Sequence, residues 1–232
     1  MKNPKEAKSK PVAAGKAAEA VAVRQRLLGV LLRKGTWPMY GFFKEALQGI
    51  QRVAFSQGYG LVIVDPAPQG EISLRDAIPA LRRTLAGLLM VAPPESDMAV
   101  LRPLTDEQFP VVSLYRRFAG MNYVEVDNEG GAEAAVEHLI HLGHTHIAFL
   151  SGPADAVDGQ ERLSGYQKAL AKNGLTVHKE YVVAADFEQA KAYKAMKDLL
   201  ALKKPPTAVF AANDYMALGA ISAIHDAGLS VP

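Results

Sequence analysis

The sequence predicts an α/β fold of two lobes, each a parallel sheet flanked by helices. Three observations carry that expectation. Short apolar runs recur along the 232 residues, segments of helical period lie between most of them, and glycines close several of those segments. Strands alternating with helices build βαβ units, and a strand covered on both faces reads as a continuous apolar run.

Residues 1–26 carry only small apolar side chains before Val21 and read as a basic flexible leader or linker. The first strand is LLGVLL (27–32). YGFFKEALQGIQRVAFSQ (40–57) follows with apolar residues at 43, 46, 47, 50, 53 and 54, one stripe at period 3.6. GLVIV (60–64), GLLMVA (87–92) and PVVSLY (110–115) complete an N-terminal lobe over 27–115. RRFAGMN (116–122) lacks a strong helical period and is the expected crossover. A second lobe, 123–232, takes its strands from YVEV (123–126), IAFL (147–150), YVVAA (181–185) and TAVFAA (207–212). Its helices are GGAEAAVEHLIHLG (130–143), RLSGYQKALAKNG (162–174), EQAKAYKAMKDLLAL (188–202) and DYMALGAISAIHDAG (214–228). Gly143, Gly174 and Gly228 end three of these as left-handed caps. The chain stops at GLSVP, where the alternation would supply another strand, so the second lobe is expected to be C-terminally incomplete.

Composition narrows the function. A chain that is 49% hydrophobic and 22% charged can bury a real core. No run of 18 apolar residues spans a membrane, and the start lacks the apolar centre of a secretory signal. Zero cysteines exclude disulfides, thiolate metal sites and cysteine catalysis. Together these favour a cytoplasmic protein. Residues 1–35 hold nine Lys/Arg against Glu6 and Glu19, a net +7, which leaves −5 for the rest of a +2 chain. A basic arm can track phosphates, but a solvated tail is the plainer reading.

The catalytic signatures GxSxG, GxxxxGK[ST], HExxH and GxGxxG do not occur, and no carboxylate pair suggests acid/base work. The chain therefore reads as a binding module, with no catalytic residue, cofactor or metal expected. HLIHLGHTHIAF (138–149) tests that reading, because it holds four of the six histidines. A zinc site needs three or four side chains converging on one point. His138 and His141 lie on a helix, His144 in the turn after Gly143 and His146 at a strand start, so they do not converge without an irregular loop. A histidine near a helix C-terminus can instead meet the free carbonyls and the negative end of the dipole.

HLIHLGHTHIAFLSGP (138–153) resembles a block of the lactose/galactose repressor (LacI/GalR) family of bacterial transcription regulators. VDNEGGAEAAVEHL (126–139), ERLSGYQKAL (161–170), VVAADF (182–187) and PPTAVFAANDYMALGA (205–220) resemble further family blocks in the same order. The resemblance covers roughly 27–232 and is closer in the second lobe. It implies a two-lobed periplasmic-binding-protein-like (type I) fold with a small molecule, a sugar or sugar derivative, in the interlobe cleft. It also carries over effector-binding residues, each with an ordinary structural alternative. Phe42 and Phe43 stand where the family has Asn-Pro-Phe-Phe, although Tyr40-Gly41 replaces Asn-Pro; Phe43 also suits the core. Arg116 follows Tyr115, where the family has Asp-Arg, and could be a solvated crossover residue. Arg162 matches an arginine that binds effector oxygens, against a surface pair with Glu161. Phe187 matches an aromatic that stacks on the effector, against core packing. Asn213 and Asp214 open a helix, where Asn213 could serve as N-cap and also face the ligand. Asp127 supports the site from behind or caps its helix.

The chain also departs from the family. Residues 1–26 show no helix-turn-helix pair, and the segments that follow GLSVP in the family are missing. The expected function is the ligand-sensing domain of a LacI/GalR-like regulator, a homodimer whose operator contact requires a headpiece absent here. A stand-alone sugar-binding protein of the same fold is the alternative, disfavoured by the missing export signal, and a metal-dependent enzyme comes third.

Overall fold

A computed structural model describes residues 26–32, 40–65, 73–92, 95–106 and 108–232. The leader, except Arg26, lies outside them. The chain divides into two compact units, Met1–Glu125 and Val126–Pro232.

In the first unit, strands β1 (Leu27–Leu31), β2 (Gly60–Val64), β3 (Gly87–Val91), β4 (Val111–Leu114) and β5 (Asn122–Val124) form one parallel sheet in the order β2-β1-β3-β4-β5. Helices α1 (Tyr40–Ser56), α2 (Leu74–Thr84) and α3 (Glu95–Asp106) connect the first four strands. Leu31, Leu88, Met90, Leu101 and Leu104 are fully buried in its core. The apolar stripe of α1 is only partly used. Ala54 is buried, Leu47 and Ile50 pack beside Val30 and Leu32, but Val53 is 61% exposed.

The strand YVEV, expected to open the second lobe, instead closes this first sheet. Ser113 and Leu114 of β4 pair with Tyr123 and Val124 in parallel register, and the Tyr115 amide donates to the Val124 carbonyl. The boundary between units therefore falls after Glu125, not before Tyr123. Helices α2 and α3 also go beyond the sequence expectation. Each carries an internal proline, Pro79 and Pro103, which removes a backbone donor and breaks the pattern that marks a helix. Ser73 starts α2 as N-cap, accepting from the Asp76 amide.

The second unit repeats the alternation. Strands β6 (Ile147–Ser151), β7 (Val182–Ala184) and β8 (Ala208–Ala211) form a parallel sheet in the order β7-β6-β8, flanked by α4 (Asn128–His141), α5 (Val157–Lys172), α6 (Gln189–Leu200) and α7 (Asp214–Asp226). Its core is an aromatic stack. The Phe149 ring lies 5.4 Å from Tyr166 and 5.1 Å from Phe210. The Tyr166 hydroxyl donates to the Ile147 carbonyl at 2.8 Å, so the buried phenol is satisfied.

Two helix pairs close over this core at glycines. A Cβ on Gly165 of α5 would collide with the Glu129 carbonyl oxygen of α4, and one on Gly219 of α7 with the Gln189 carbonyl oxygen of α6. Surface ion pairs follow the first contact. Lys168 and Ser164 both bond the Glu129 carboxylate, and Lys172 lies 3.2 Å from Glu133 and 2.8 Å from Glu137. The Lys168 and Ser164 hydrogen bonds hold the Glu129 carboxyl below its ordinary pKa, and the same pairing raises Lys168. Gly143, Gly174 and Gly228 have positive φ and terminate α4, α5 and α7, as the sequence predicts.

Candidate functional site

Both sheets place their second strand outside their first and continue on the other side, so the strand order reverses between β1 and β3 and again between β6 and β8. Ligands of open parallel sheets gather at the carboxyl ends of the strands beside such a reversal. In the second unit that place is set by Gly152 after β6, Phe187 after β7, and Ala212 and Asn213 after β8.

Arg162 reaches this edge from α5. Its Nη1 donates to the Ala212 carbonyl at 2.6 Å, while Nε and Nη2 both donate to Asn128 Oδ1, at 3.1 and 2.8 Å. Asp158, one helical turn before it, lies 3.7 Å from Nη2. The pair with Glu161, weighed as its ordinary role, is not formed. Glu161 instead accepts from Asn128 Nδ2 at 2.8 Å. The Arg162 side chain is 26% exposed, and its guanidinium sits 6.0 Å from the Phe187 ring centroid, the outer reach of a cation–π contact.

Phe187 is half-buried, packed at the margin of the core, and has a left-handed backbone with φ 61, as does Asp186 with φ 51. Lys191 secures the turn, bonding Asp186 and Glu188 at 2.8 Å each, and these hydrogen bonds raise the Lys191 pKa. The tip of the Phe187 ring lies over Gly152, where any Cβ would collide with it. Asn213 performs two tasks. Its Oδ1 accepts from the Met216 amide as N-cap of α7, and its Nδ2 donates to the Phe187 carbonyl at 3.4 Å.

Arg162, Phe187 and Asn213 thus come together. Asp214 is the exposed first residue of α7. Asp127 is the N-cap of α4, accepting from the Gly130 amide at 2.8 Å. Arg116 belongs to the first unit, half-buried, with its guanidinium 5.3 Å from the Phe118 ring. Phe42 and Phe43 start α1, and their side chains lie outside the described residues. Asn128 and Asp158 escaped the sequence reading. Asn128 was visible as the third residue of VDN, and Asp158 by its i,i+4 spacing to Arg162.

The histidines separate. His138 and His141 occupy the exposed last turn of α4. His144 Nδ1 bonds Thr207 Oγ1 at 2.9 Å, and His146 stacks 6.4 Å from His178, beside Tyr181. Among the described residues no group of three or more His, Asp or Glu is placed to hold a metal, and no helix is long and apolar enough to cross a membrane.

Comparison with known proteins bears on the fold and the family. The family model described as a periplasmic binding protein-like domain matches residues 136–232, inside the second unit. Over 211 residues the chain is 33% identical to the HTH-type transcriptional repressor PurR of Aliivibrio fischeri, covering 89% of this chain and 62% of that protein. This chain carries the effector-binding region of the LacI/GalR family. Its LacI/GalR likeness extends to the ribose operon repressor of Escherichia coli, at 32% identity over 88% of this chain and 62% of that one. The chain spans less than two thirds of the length of these relatives, which are named as repressors and not as enzymes. Among solved structures, a sugar-binding transcriptional regulator of the LacI family from Escherichia coli, complexed with phosphate, superimposes with a TM-score of 0.76. It is 29% identical, covering 89% of this chain and 75% of that one.

Proposed function

We propose that the chain senses a small molecule, a sugar or sugar derivative, at the carboxyl edge of its second sheet. The observation that carries this is the meeting of Arg162, Phe187 and Asn213 beside the strand-order reversal between β6 and β8. A forked donor next to an aromatic face is what a hydroxylated ring requires: directed hydrogen bonds at its rim and apolar contact on its plane. The relatives named for a ribose operon and for sugar binding support the same class. Asp127, Asp214, Phe42, Phe43 and Arg116 join the proposal on the family resemblance.

Operator control by a homodimer, exerted in the cytoplasm, belongs to the proposal on the strength of the repressors among the relatives. An effector that prefers one of two conformations would shift the population between them, and its differential affinity sets how far.

A thermal-shift screen against D-ribose, other sugars, nucleosides and sugar phosphates tests the reading. A ligand present at 100 times its Kd stabilises the native state by about 2.7 kcal/mol, and Arg162→Ala removes that stabilisation. A ligand whose shift is unchanged in Arg162→Ala sinks the site assignment. Sedimentation of the chain at micromolar concentration checks the dimer.

A further inference from the structure

The role of Asn128 is independent of the helix it starts. Asp127 already caps α4 through the Gly130 amide, so Asn128 has no capping duty. Its side chain is fully committed elsewhere. Oδ1 accepts from both Nε and Nη2 of Arg162, and Nδ2 donates to Glu161 Oε2 at 2.8 Å and to the Val126 carbonyl at 3.3 Å. Glu161 and Val126 thereby fix which way the amide points, and the amide fixes the plane of the guanidinium.

Three of the five N–H groups of Arg162 are used in this way, counting the bond to the Ala212 carbonyl. Among the described residues, one N–H on each terminal nitrogen is left. Asp158 stands beside the same group and offsets its charge. Resting on the ligand-sensing reading above, we infer that Asn128 is a positioning residue that presents Arg162, with two donors available, to a pair of hydroxyl oxygens on an uncharged ligand. An arginine already neighboured by a carboxylate has less to offer an anion than one standing alone.

Side-chain NMR of the full 232-residue chain tests this without any ligand. The Arg162 Nε–Hε peak, assigned by its loss in Arg162→Lys, is expected to be dispersed and slow to exchange. Asn128→Ala moves it to the position of a solvated arginine while the amide spectrum of the remaining core is retained. Asn128→Asp combined with Glu161→Gln, which keeps the acceptor oxygen toward Arg162 and supplies a donor in place of the Glu161 carboxylate, keeps the peak. An unchanged peak in Asn128→Ala overturns the assignment. So does its loss in the Asn128→Asp, Glu161→Gln double variant, a result that stays decisive even where the alanine variant does not fold.

With D-ribose as probe, Asn128→Ala weakens binding roughly two- to tenfold, the cost of ordering one long side chain on binding, and Asn128→Asp combined with Glu161→Gln restores it. Inorganic phosphate leaves the peak in place; a phosphate-dependent shift overturns the preference for an uncharged ligand. Because the peak is read in the free protein, a sugar screen that finds nothing overturns the proposed function and not the Asn128 assignment.

Discussion

In the second unit two glycines bring helix main chains into contact, whereas the tightest glycine of the first unit meets side chains. In the second, Gly165 and Gly219 let helix main chains touch, and Gly152 admits the tip of an aromatic ring. In the first, the glycine in closest contact is Gly29 of β1, and what a Cβ there would meet is the flexible ends of Leu85, Leu88 and Val64. The edges differ in the same sense. Ile63 on β2 is 53% exposed and Val124 on β5 60%, while in the aromatic stack of the second unit Phe149 and Tyr166 are fully buried and Phe210 partly so. Contacts between main chains admit one residue type; contacts between side chains can be met by several.

Substitutions that treat the two units alike can break the comparison. The largest effect is expected from Gly165→Ala, which forces α4 and α5 apart and destabilises the second unit by about 3 kcal/mol in urea unfolding followed by circular dichroism. Gly49→Ala in α1 is its counterpart. A Cβ there meets nothing within 4 Å, so helix propensity alone acts and the gain is about 0.5–1 kcal/mol. Equal signs for the two changes would dissolve the distinction.

Tyr166→Phe is next. At neutral pH it costs about 1 kcal/mol, the worth of the hydrogen bond to the Ile147 carbonyl. Burial first, and Tyr181 second, push the Tyr166 phenol from 10.0 up to about 12. A folded pKa above the unfolded one gives a contribution that is complete below pH 10 and is lost as pH rises through 12. Hydrogen exchange of the β6 amides should therefore lose protection over that window in the wild type, and less so in Tyr166→Phe.

The smallest effect is in the first unit. The buried Ser113 hydroxyl on β4 has no hydrogen-bond partner among the described residues, so Ser113→Ala is expected to be neutral or to stabilise by up to about 1 kcal/mol. A loss of 2 kcal/mol, about the cost of a broken buried hydrogen bond, would show that the hydroxyl is satisfied after all.

The eight strands were legible because most are apolar runs, with Ser113 in β4 and Asn122 in β5 as polar exceptions, and so were the glycines that end α4, α5 and α7. What was not legible has identifiable causes. Pro79 and Pro103 interrupt the periods of α2 and α3. The start of α5 at Val157 lacks a side-chain cap, so the helix was read from Arg162 onward. The place of β5 depends on which strand it pairs with, and that is a long-range choice no local pattern contains. At the candidate site, single residues could be matched one at a time, which put forward Arg162, Phe187 and Asn213, the three that the fold brings together. Asn128 and Asp158 matter through what they do to Arg162, and such pairings emerge only once α4 and α5 are packed.

The left-handed turn at Asp186 and Phe187 also bears on how this scaffold can be retuned. Positive φ is tolerated by glycine, asparagine and aspartate and resists β-branched side chains. A library randomised at 187 to alter ligand choice would therefore return few valines, isoleucines or threonines, whatever ligand is used for selection. Diversity is better spent at Asp158 and Asn128, which stand on ordinary helical backbone and change what Arg162 offers without bending the chain.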